Sequence, residues 1–215
     1  YAGFSVMKNC AVYIKDGKIA DVYNERRFKQ KKFSPQVRII DLMGASLLPG
    51  FVDTHIHGSG GYSTDDASPE AILKMSEFLA ENGVTSFIPT INASPEPELM
   101  KKMKAILKAM GKEKGARILG MHLEGPFLSP ERIGGQLAEG LSAVDLDYMK
   151  RIVKAGQGKI INMTVRANND ETLRNQLPSV SKCWIAFSAV RPWIALTFWL
   201  LLIECCFFHS AAERA

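Results

Sequence analysis

The chain has 215 residues, of which 47% are hydrophobic and 23% charged, and its formal net charge is +5. This composition is typical of a soluble globular protein. The length is sufficient for a sizeable core, so one or two domains are expected. The net charge is modest and does not by itself indicate a nucleic-acid partner.

The first predicted element is a hairpin. The segment "NCAVYIKDGKIADVYN" reads as two short strands joined by a turn at Asp16-Gly17. The basic segment "ERRFKQKKF" follows, in which Phe28 and Phe33 interleave with lysine and arginine. We interpret this segment as a solvated loop or edge strand rather than a nucleic-acid contact, because no nucleic-acid motif accompanies it.

A domain boundary is expected near residue 48, where "LLPGF" carries a Pro-Gly break. Beyond it, "GFVDTHIH" predicts a short strand and "SPEAILKMSEFLAENG" a helix. Ser68 is the expected N-cap of this helix, Pro69 its first residue and Gly83 lies past its end. Its predicted apolar face consists of Ile72, Met75, Leu79 and Ala80.

The same alternation continues to about residue 180. "VTSFIPTI", "ARILGMHLEGPF" and "KIINMTV" predict strands. Between them, "SPEPELMKKMKAILKAMG", opening at Ser94-Pro95 and closing at Gly111, and "AVDLDYMKRIVKAG" predict helices, and "NDETLRNQL" begins another. Repeated strand-helix units predict parallel strands with right-handed crossovers. Either a doubly wound sheet or a barrel fits, although no phosphate-binding glycine fingerprint follows the first strand.

After about residue 182 the composition changes. All three tryptophans lie there, while Gly, Lys, Asp and Asn are absent. The uncharged run "PWIALTFWLLLI" is shorter than the roughly twenty apolar residues of a membrane-spanning helix. We expect residues 183–215 to be either a tail that touches a membrane or sequence foreign to the fold, and we expect no continuation of the strand-helix alternation.

Histidines and carboxylates at two predicted strand ends suggest a metal site. Alternate side chains of a strand share a face, so Asp53, His55 and His57 should project together. The residues expected to face the helices are Val52, Thr54 and Ile56. His122 and Glu124 likewise share a face at the carboxyl edge, where α/β folds build their sites. Two imidazoles and a carboxylate can bind a divalent ion, whereas hydrogen-bonded polar residues without metal are the structural alternative.

Three longer segments resemble one family. "LLPGFVDTHIHGSGG", "VTSFIPTI" and "ILGMHLEGPFLSPERIGGQ" are similar to the N-acetylglucosamine-6-phosphate deacetylases of the amidohydrolase superfamily. The resemblance covers the chain to roughly residue 180. It implies a (β/α)8 barrel with a small β-sandwich domain, so that residues 1–48 would belong to the small domain and 49–182 to the first half of the barrel, about four β/α units.

The resemblance also implies the chemistry. Glu124 would be a metal ligand, His55 and His57 would hold a metal in members with this HxH, and Gly135 and Gln136 match the pair that touches the amino sugar. His122 would only make local hydrogen bonds. The reaction would be hydrolysis of the acetamide of N-acetylglucosamine 6-phosphate by a metal-activated water, with zinc as the expected ion and iron(II) as the alternative. An aspartate of the eighth strand would serve as base and acid.

The resemblance predicts several residues that do not appear. No match is found for the histidines of the fifth and sixth strands or for the catalytic aspartate, and "TVRANND" replaces the usual Ala-Pro-Glu. A full barrel takes about 250 residues. We therefore expect a truncated and inactive chain without a catalytic residue of its own, whose tail arises from a frameshift, an unspliced segment or a faulty gene model.

Two other functions stay open at this stage. One is a non-catalytic fragment that binds metal or associates with a membrane through its tail. The other is a dihydroorotase, disfavoured because the arginine expected soon after HxH is absent. The expected partner is a small amino-sugar phosphate and not nucleic acid, and homodimers are common in the family. The four cysteines form no CxxC and no secretory signal is recognised, which favours the cytoplasm.

Overall fold

The computed structural model describes residues 6–165 and 184–187 of the chain. It divides into two units, the first ending at Gly50 and the second beginning at Phe51. The helix predicted in "NDETLRNQL" and most of the segment 183–215 lie outside the described residues.

The first unit contains the predicted hairpin. Strands β1 (Cys10–Lys15) and β2 (Lys18–Asn24) pair antiparallel, and the turn residues Asp16 and Gly17 have φ values of 52° and 72°. Positive φ at both central positions is what a tight hairpin turn requires, and an Asp-Gly pair adopts it readily. The hairpin signal in the sequence is therefore confirmed.

The basic segment after the hairpin is a short helix, α1 (Glu25–Gln30), so the prediction of a loop or edge strand is wrong. The side chain of Asn24 accepts a hydrogen bond from the backbone N–H of Arg27 at 2.9 Å and caps the helix. Arg27 also pairs with Asp21 at 3.1 Å and lies over the ring of Tyr23. Local capping and pairing thus decide this conformation.

The second unit alternates strands and helices. It begins with β3 (Phe51–Ile56), the small hairpin β4 (Gly58–Ser59) and β5 (Tyr62–Ser63), and helix α2 (Pro69–Glu81). Then follow β6 (Val84–Asn92), α3 (Glu96–Ala109), β7 (Arg117–Ile118) and β8 (Met121–Glu124). The last described elements are α4 (Leu146–Gly156), β9 (Ile160–Val165) and β10 (Trp184–Phe187).

The strands of the main sheet lie side by side in the order in which they occur along the chain. The main path of the sheet runs β3, β6, β8, β9, β10, every pair is parallel, and β7 also pairs with β6. Helix α2 contacts α3 and α3 contacts α4. A doubly wound sheet reverses its strand order at a switch point, whereas consecutive β/α units of a barrel do not. The fold is therefore α/β, and its topology is consistent with part of a (β/α)8 barrel.

The core of this unit lies between the sheet and the three longer helices. Odd-numbered residues of β6 and β8 face the helices, and even-numbered residues face the opposite side, as strand alternation demands. The largest fully buried side chains in this layer include Ile72, Met75, Phe87, Ile91, Leu99, Met103, Ile106, Met121, Leu123, Ile152 and Met163. This layer fixes the strands whose ends carry the polar residues discussed below.

Two helices share a Ser-Pro opening but begin differently. In α2 the hydroxyl of Ser68 accepts a hydrogen bond from the N–H of Ala71, as predicted. In α3 the hydroxyl of Ser94 makes no cap; it donates to the carbonyl of Asn92 and accepts from the ammonium of Lys102. The helix predicted to open at Ser94-Pro95 thus begins at Glu96 with Pro95 as its N-cap, because Lys102 and the carbonyl of Asn92 take the serine hydroxyl.

The buried face of α2 also differs in one residue. Ile72, Met75 and Leu79 are buried as predicted, but Ala80 is exposed and Ser76 is buried in its place. The hydroxyl of Ser76 donates to the carbonyl of Ala116 at 2.7 Å. The hydrogen-bonded hydroxyl of Ser76 is therefore buried on the face of α2 where the apolar pattern predicted Ala80.

The segment "ARILGMHLEGPF" forms two strands rather than one. The chain changes partner between them: the N–H of Leu119 donates to the carbonyl of Phe87, whereas that of Met121 donates to Lys159. Gly120 lies at the change, where a Cβ atom would come within 2.4 Å of the side chain of Ile161. The close approach of β9 therefore interrupts the strand.

The segment beyond residue 182, where no further strand is expected, contains one. Trp184–Phe187 pairs with Asn162–Val165 in parallel, in the place that the next strand of the series would take. These four residues therefore continue the series of parallel strands. No helix among the described residues is both long and apolar enough to cross a membrane.

Candidate metal centre

Side chains from the first and third β/α units meet at the carboxyl edge of the sheet. His55 lies near the end of β3, His57 directly after it, and Glu124 is the last residue of β8. Between these strands lies β6, whose Asn92 is aligned with Glu124. Since all three strands are parallel, their carboxyl ends share one edge, and the side chains converge as strand alternation predicts.

The three side chains offer ligand atoms to one point. Nε2 of His57 lies 3.0 Å from Oε2 of Glu124, Nε2 of His55 lies 3.6 Å from the same oxygen, and the two Nε2 atoms are 3.2 Å apart. All three atoms lie within 4.8 Å of one another. The side chains are between 27% and 49% exposed, so solvent and small ligands reach the cluster.

The donor set fits a divalent metal ion. Zinc binds imidazole nitrogen and carboxylate oxygen at about 2.0–2.2 Å, so neighbouring donors of a tetrahedral site stand about 3.3 Å apart. The observed separations are close to this value. A cation between the three atoms would be bound by an Nε2 lone pair from each imidazole and by the negative charge of the carboxylate. Two imidazoles and one carboxylate also suit iron(II).

His122 lies behind the cluster and holds no position in it. Its ring is 2% exposed and packs edge-on against His55 with 5.0 Å between centroids. Burial, together with the neighbouring imidazoles of His55 and His57, lowers the pKa of His122 to about 3, so the ring is neutral at pH 7. It hydrogen-bonds Thr90 and Thr164. These are hydrogen bonds of the kind expected for His122, and its exclusion from the metal ligands stays a prediction.

The carboxylate of Asp53 and Nδ1 of His57 are polar groups next to the cluster. The carboxylate of Asp53 accepts a hydrogen bond from the backbone N–H of His55 at 3.1 Å and is not among the converging donors. Within the part of the chain that the structure describes, Nδ1 of His57 is buried and has no hydrogen-bond partner. Asp53 therefore acts on the strand backbone, while the orientation of His57 comes from its own backbone and from Glu124.

Gln136 reaches the same edge of the sheet from the loop after β8. Its Oε1 accepts a hydrogen bond from the N–H of Ala93 at 2.7 Å, and its Nε2 donates to Oδ1 of Asn92 at 3.3 Å. Asn92 is the residue aligned with Glu124. Gly135 and Gln136 line a small cleft of about 130 Å³ together with Asp65.

A buried lysine lies beside this cleft. The ammonium of Lys102, whose side chain is 10% exposed, donates to Asp65 and to Ser94, each at 2.8 Å. Asp65 also accepts a hydrogen bond from Asn92 at 3.2 Å. Hydrogen bonds thus run from Lys102 through Asp65 and Asn92 to Gln136, and they join α3, the segment before α2, the end of β6 and the loop after β8.

Sequence reasoning missed this network and the threonines around His122. Lys102 stands on a helix among other lysines, and nothing local distinguishes it. Thr90, Asn162 and Thr164 carried a usable signal, because polar residues at alternate positions of two otherwise apolar strands indicate a second, polar face. Aligning the parallel strands at their carboxyl ends would have set this face beside His122.

The sequence around these side chains matches one known protein family. Residues 46–179 match the family model described as "Amidohydrolase family". This chain belongs to the amidohydrolase family, which implies a divalent metal, and the three converging side chains could hold one.

Two curated relatives of this chain share one specific enzyme name. N-acetylglucosamine-6-phosphate deacetylase of Bacillus subtilis is 35% identical over 170 residues, which are 77% of this chain and 42% of the relative. The enzyme of that name from Haemophilus influenzae is 30% identical over 189 residues, 87% of this chain and 47% of the relative. The resemblance drawn from the motifs is thereby confirmed.

A solved structure gives the same comparison for the fold. The N-acetylglucosamine-6-phosphate deacetylase of Pasteurella multocida superposes with a TM-score of 0.66 at 27% identity, over 84% of this chain and 46% of that one. The chain spans about half the length of the curated relatives it matches.

Proposed function

We propose that this chain supplies His55, His57 and Glu124 as ligands of a divalent metal ion in an N-acetylglucosamine-6-phosphate deacetylase. The reaction is hydrolysis of the acetamide of N-acetylglucosamine 6-phosphate to acetate and glucosamine 6-phosphate. The observation that carries the proposal is the convergence of the three ligand atoms within 4.8 Å. The names of the relatives at 30% and 35% identity support the substrate.

Each residue has a separate part in the proposed site. The two imidazoles and the carboxylate hold the ion, for which zinc is the first expectation and iron(II) the alternative. The ion, when bound, supplies Lewis acidity toward a carbonyl oxygen and a water molecule. His122 packs against His55 as a neutral ring and therefore adds no positive charge next to the cation.

We assign Gly135 and Gln136 to the amino sugar. Both polar ends of the Gln136 side chain are bonded to the end of β6, so the side chain is preoriented. One N–H of its amide and one lone pair of its Oε1 stay available to a substrate, since an amide group offers two of each. The proposal assigns no catalytic acid or base to this chain.

The first test is zinc affinity, measured on the purified chain by competition with a chromophoric chelator. Glu124→Gln and the double variant His55→Ala/His57→Ala each remove ligands, and we expect zinc affinity to fall more than about 100-fold, because even supporting residues are worth 10–100-fold. Glu81→Gln, which changes an exposed carboxylate at the end of α2, is the matched control. Equal affinity in all four proteins would exclude this site.

The second test is turnover. The zinc-loaded chain is incubated with N-acetylglucosamine 6-phosphate, and acetate is measured against the His55→Ala/His57→Ala variant. Acetate release above that control would mean that this chain is active by itself. Zinc binding without acetate release would support the metal site and favour the non-catalytic alternative. Sedimentation with liposomes is the additional measurement for a membrane-associating fragment.

A further inference from the structure

Strand β3, which carries His55 and leads directly into His57, is irregularly paired beside them. Its register with β6 shifts between Asp53 and Ile56, next to His55. A regular ladder would hold this backbone through peptide hydrogen bonds alone. Another contact has to define the position of β3 at the point where the metal ligands need a fixed separation.

The side chain of Thr90 provides this contact. Its hydroxyl oxygen accepts a hydrogen bond at 3.1 Å from the N–H of Ile56, the residue between His55 and His57. Thr90 lies in the last third of β6 and its side chain has no exposed surface. A buried hydroxyl with fixed partners is a rigid support, since breaking its bonds would leave buried polar groups unsatisfied.

Thr90 is bonded on its other side to the strand that carries Glu124. Its hydroxyl lies 3.3 Å from Nδ1 of His122, and Nε2 of His122 lies 3.0 Å from the hydroxyl of Thr164 on β9. His122 precedes Glu124 by two residues on β8. An unbroken series of hydrogen bonds therefore crosses four neighbouring strands directly beneath the candidate metal site.

A second threonine fixes the residue after β3. The hydroxyl of Thr64 donates to the carbonyl of Thr90 at 2.8 Å and lies 3.1 Å from the carbonyl of His57. The N–H of Thr64 donates to the carbonyl of His57 at 2.8 Å. The backbone between the two ligands is thus attached to the Thr90 hydroxyl at Ile56, and the backbone of His57 is attached through Thr64 to the Thr90 carbonyl.

We propose that Thr90 is a positioning residue of the metal site, whose buried hydroxyl holds the backbone between His55 and His57 in register with the strand of Glu124. This inference rests on the proposed function and deepens it. Hydrogen bonds join Thr90 to Ile56, Thr64, Ile88 and His122, which are neither the candidate ligands nor the substrate-assigned pair. Its effect is to set the separation of the imidazoles from the carboxylate before an ion arrives.

The test compares three substitutions in the full chain. Thr90→Val keeps the shape of the side chain and removes the hydroxyl, and Thr90→Ser keeps the hydroxyl and removes a methyl group. Ser76→Ala removes a different buried hydroxyl, which bonds a backbone carbonyl behind the core and contacts nothing at the carboxyl edge. Zinc affinity is measured by chelator competition, the visible spectrum of the cobalt(II) form reports coordination, and thermal unfolding reports stability.

We expect Thr90→Val to bind zinc about 10–100-fold more weakly and to alter the cobalt spectrum, as supporting residues of metal sites do. Thr90→Ser should restore both properties. Ser76→Ala should lower the melting temperature to a similar extent as Thr90→Val and leave zinc affinity and the cobalt spectrum unchanged. This combination separates positioning of the ligands from a general loss of stability.

Three results would overturn the inference. Wild-type affinity in Thr90→Val would mean that the hydroxyl does not position the ligands. An equal loss of affinity in Thr90→Val and Ser76→Ala would assign the effect to stability alone. Absence of zinc binding by the wild-type chain would reject the proposed metal site itself, and the inference with it; the first two results reject the role of Thr90 and leave the site intact.

Discussion

Gly125, the residue that follows Glu124, adopts a backbone conformation that other residues rarely reach. Its φ is 111°, and a Cβ atom built there would lie 2.9 Å from the Cβ of Ala93. Ala93 is also the residue whose N–H holds Gln136. A side chain at position 125 would therefore disturb the candidate ligand and the substrate-assigned residue together.

We predict that Gly125→Ala destabilises the chain by about 1–3 kcal/mol, the usual cost of a strained backbone position, and also weakens zinc binding. Both quantities come from denaturant unfolding and chelator competition on one preparation. Gly158→Ala is the control, because Gly158 has a φ of 73° and open space around its Cβ position. Zinc affinity that is unchanged in Gly125→Ala, or lowered equally in Gly158→Ala, would contradict the prediction.

At the scale of helices, the ammonium of Lys102 joins α3 to the loop that precedes α2. Burial raises the pKa of Asp65, but the hydrogen bond and the charge of Lys102 outweigh this effect and hold the pKa below its usual value of 3.8. A carboxyl group with a lowered pKa in the folded state stabilises the fold above its unfolded pKa. That contribution is lost as the pH falls through the folded pKa.

We predict that Lys102→Met lowers the free energy of unfolding at neutral pH by about 1.5 kcal/mol, the lower end for a hydrogen bond to a charged group, because the Asp65 carboxyl is half exposed. The difference from wild type should shrink as the pH falls below the ordinary Asp pKa of 3.8 and through the lowered pKa of folded Asp65. Urea unfolding across this range measures it. Lys104→Met, an exposed lysine of the same helix, is the control. A difference that stays constant with pH would contradict the assignment to Asp65.

The elements that the sequence predicted well are those whose determinants are local. Ser68, Pro69 and Gly83 surround α2, and Asp16-Gly17 makes the hairpin turn; each acts within a few residues of its own position. Strand alternation was sufficient to bring His55, His57 and Glu124 to one edge. Here the physical rule and the observed geometry agree, because parallel strands put their ends together regardless of what packs behind them.

The features that the sequence did not reveal depend on contacts distant along the chain. Lys102 looks like any other lysine of α3, but its ammonium is buried against Asp65, 37 residues away along the chain. The break at Gly120 comes from the close approach of β9. Thr90 gains its partners only when β3, β6 and β8 stand side by side. No window of sequence contains these partners together.

At the scale of the whole molecule, the fold places β3 at an edge of the main sheet. Among residues 6–165 and 184–187, β3 pairs only with β6, so its other edge carries no strand. Phe51 and Val52 on this strand are 73% and 50% exposed, although Val52 was predicted to face the helices. An apolar strand with a free edge is a site for association with another chain.

We predict that the chain self-associates through β3 at micromolar concentration and that Val52→Lys reduces this association, since a charged side chain on an edge strand opposes pairing. Sedimentation velocity over a dilution series measures it. Val153→Lys alters an exposed valine of α4, away from the edge strand, and should leave association unchanged. The Val153 side chain is 38% exposed. A wild-type chain that stays monomeric throughout would contradict the prediction, as would equal effects of the two lysines.

Metal binding should act on the stability of the second unit as a whole. The candidate ligands lie on β3 and β8, which are not neighbours, because β6 separates them. An ion bound by all three side chains therefore requires the native arrangement of at least three strands. The unfolded chain cannot offer these donors at one point, so binding favours the folded state by mass action.

We predict that free zinc at about 100 times its dissociation constant raises the free energy of unfolding by about 2.7 kcal/mol, and that a chelator reverses the effect. His57→Ala should show little of this response, and magnesium, which prefers oxygen ligands, should give a much smaller shift in wild type. Thermal and urea unfolding with and without each ion provide the comparison. If zinc stabilised His57→Ala as strongly as wild type, the ion would bind at other residues. The stabilisation would then not come from joining β3 to β8.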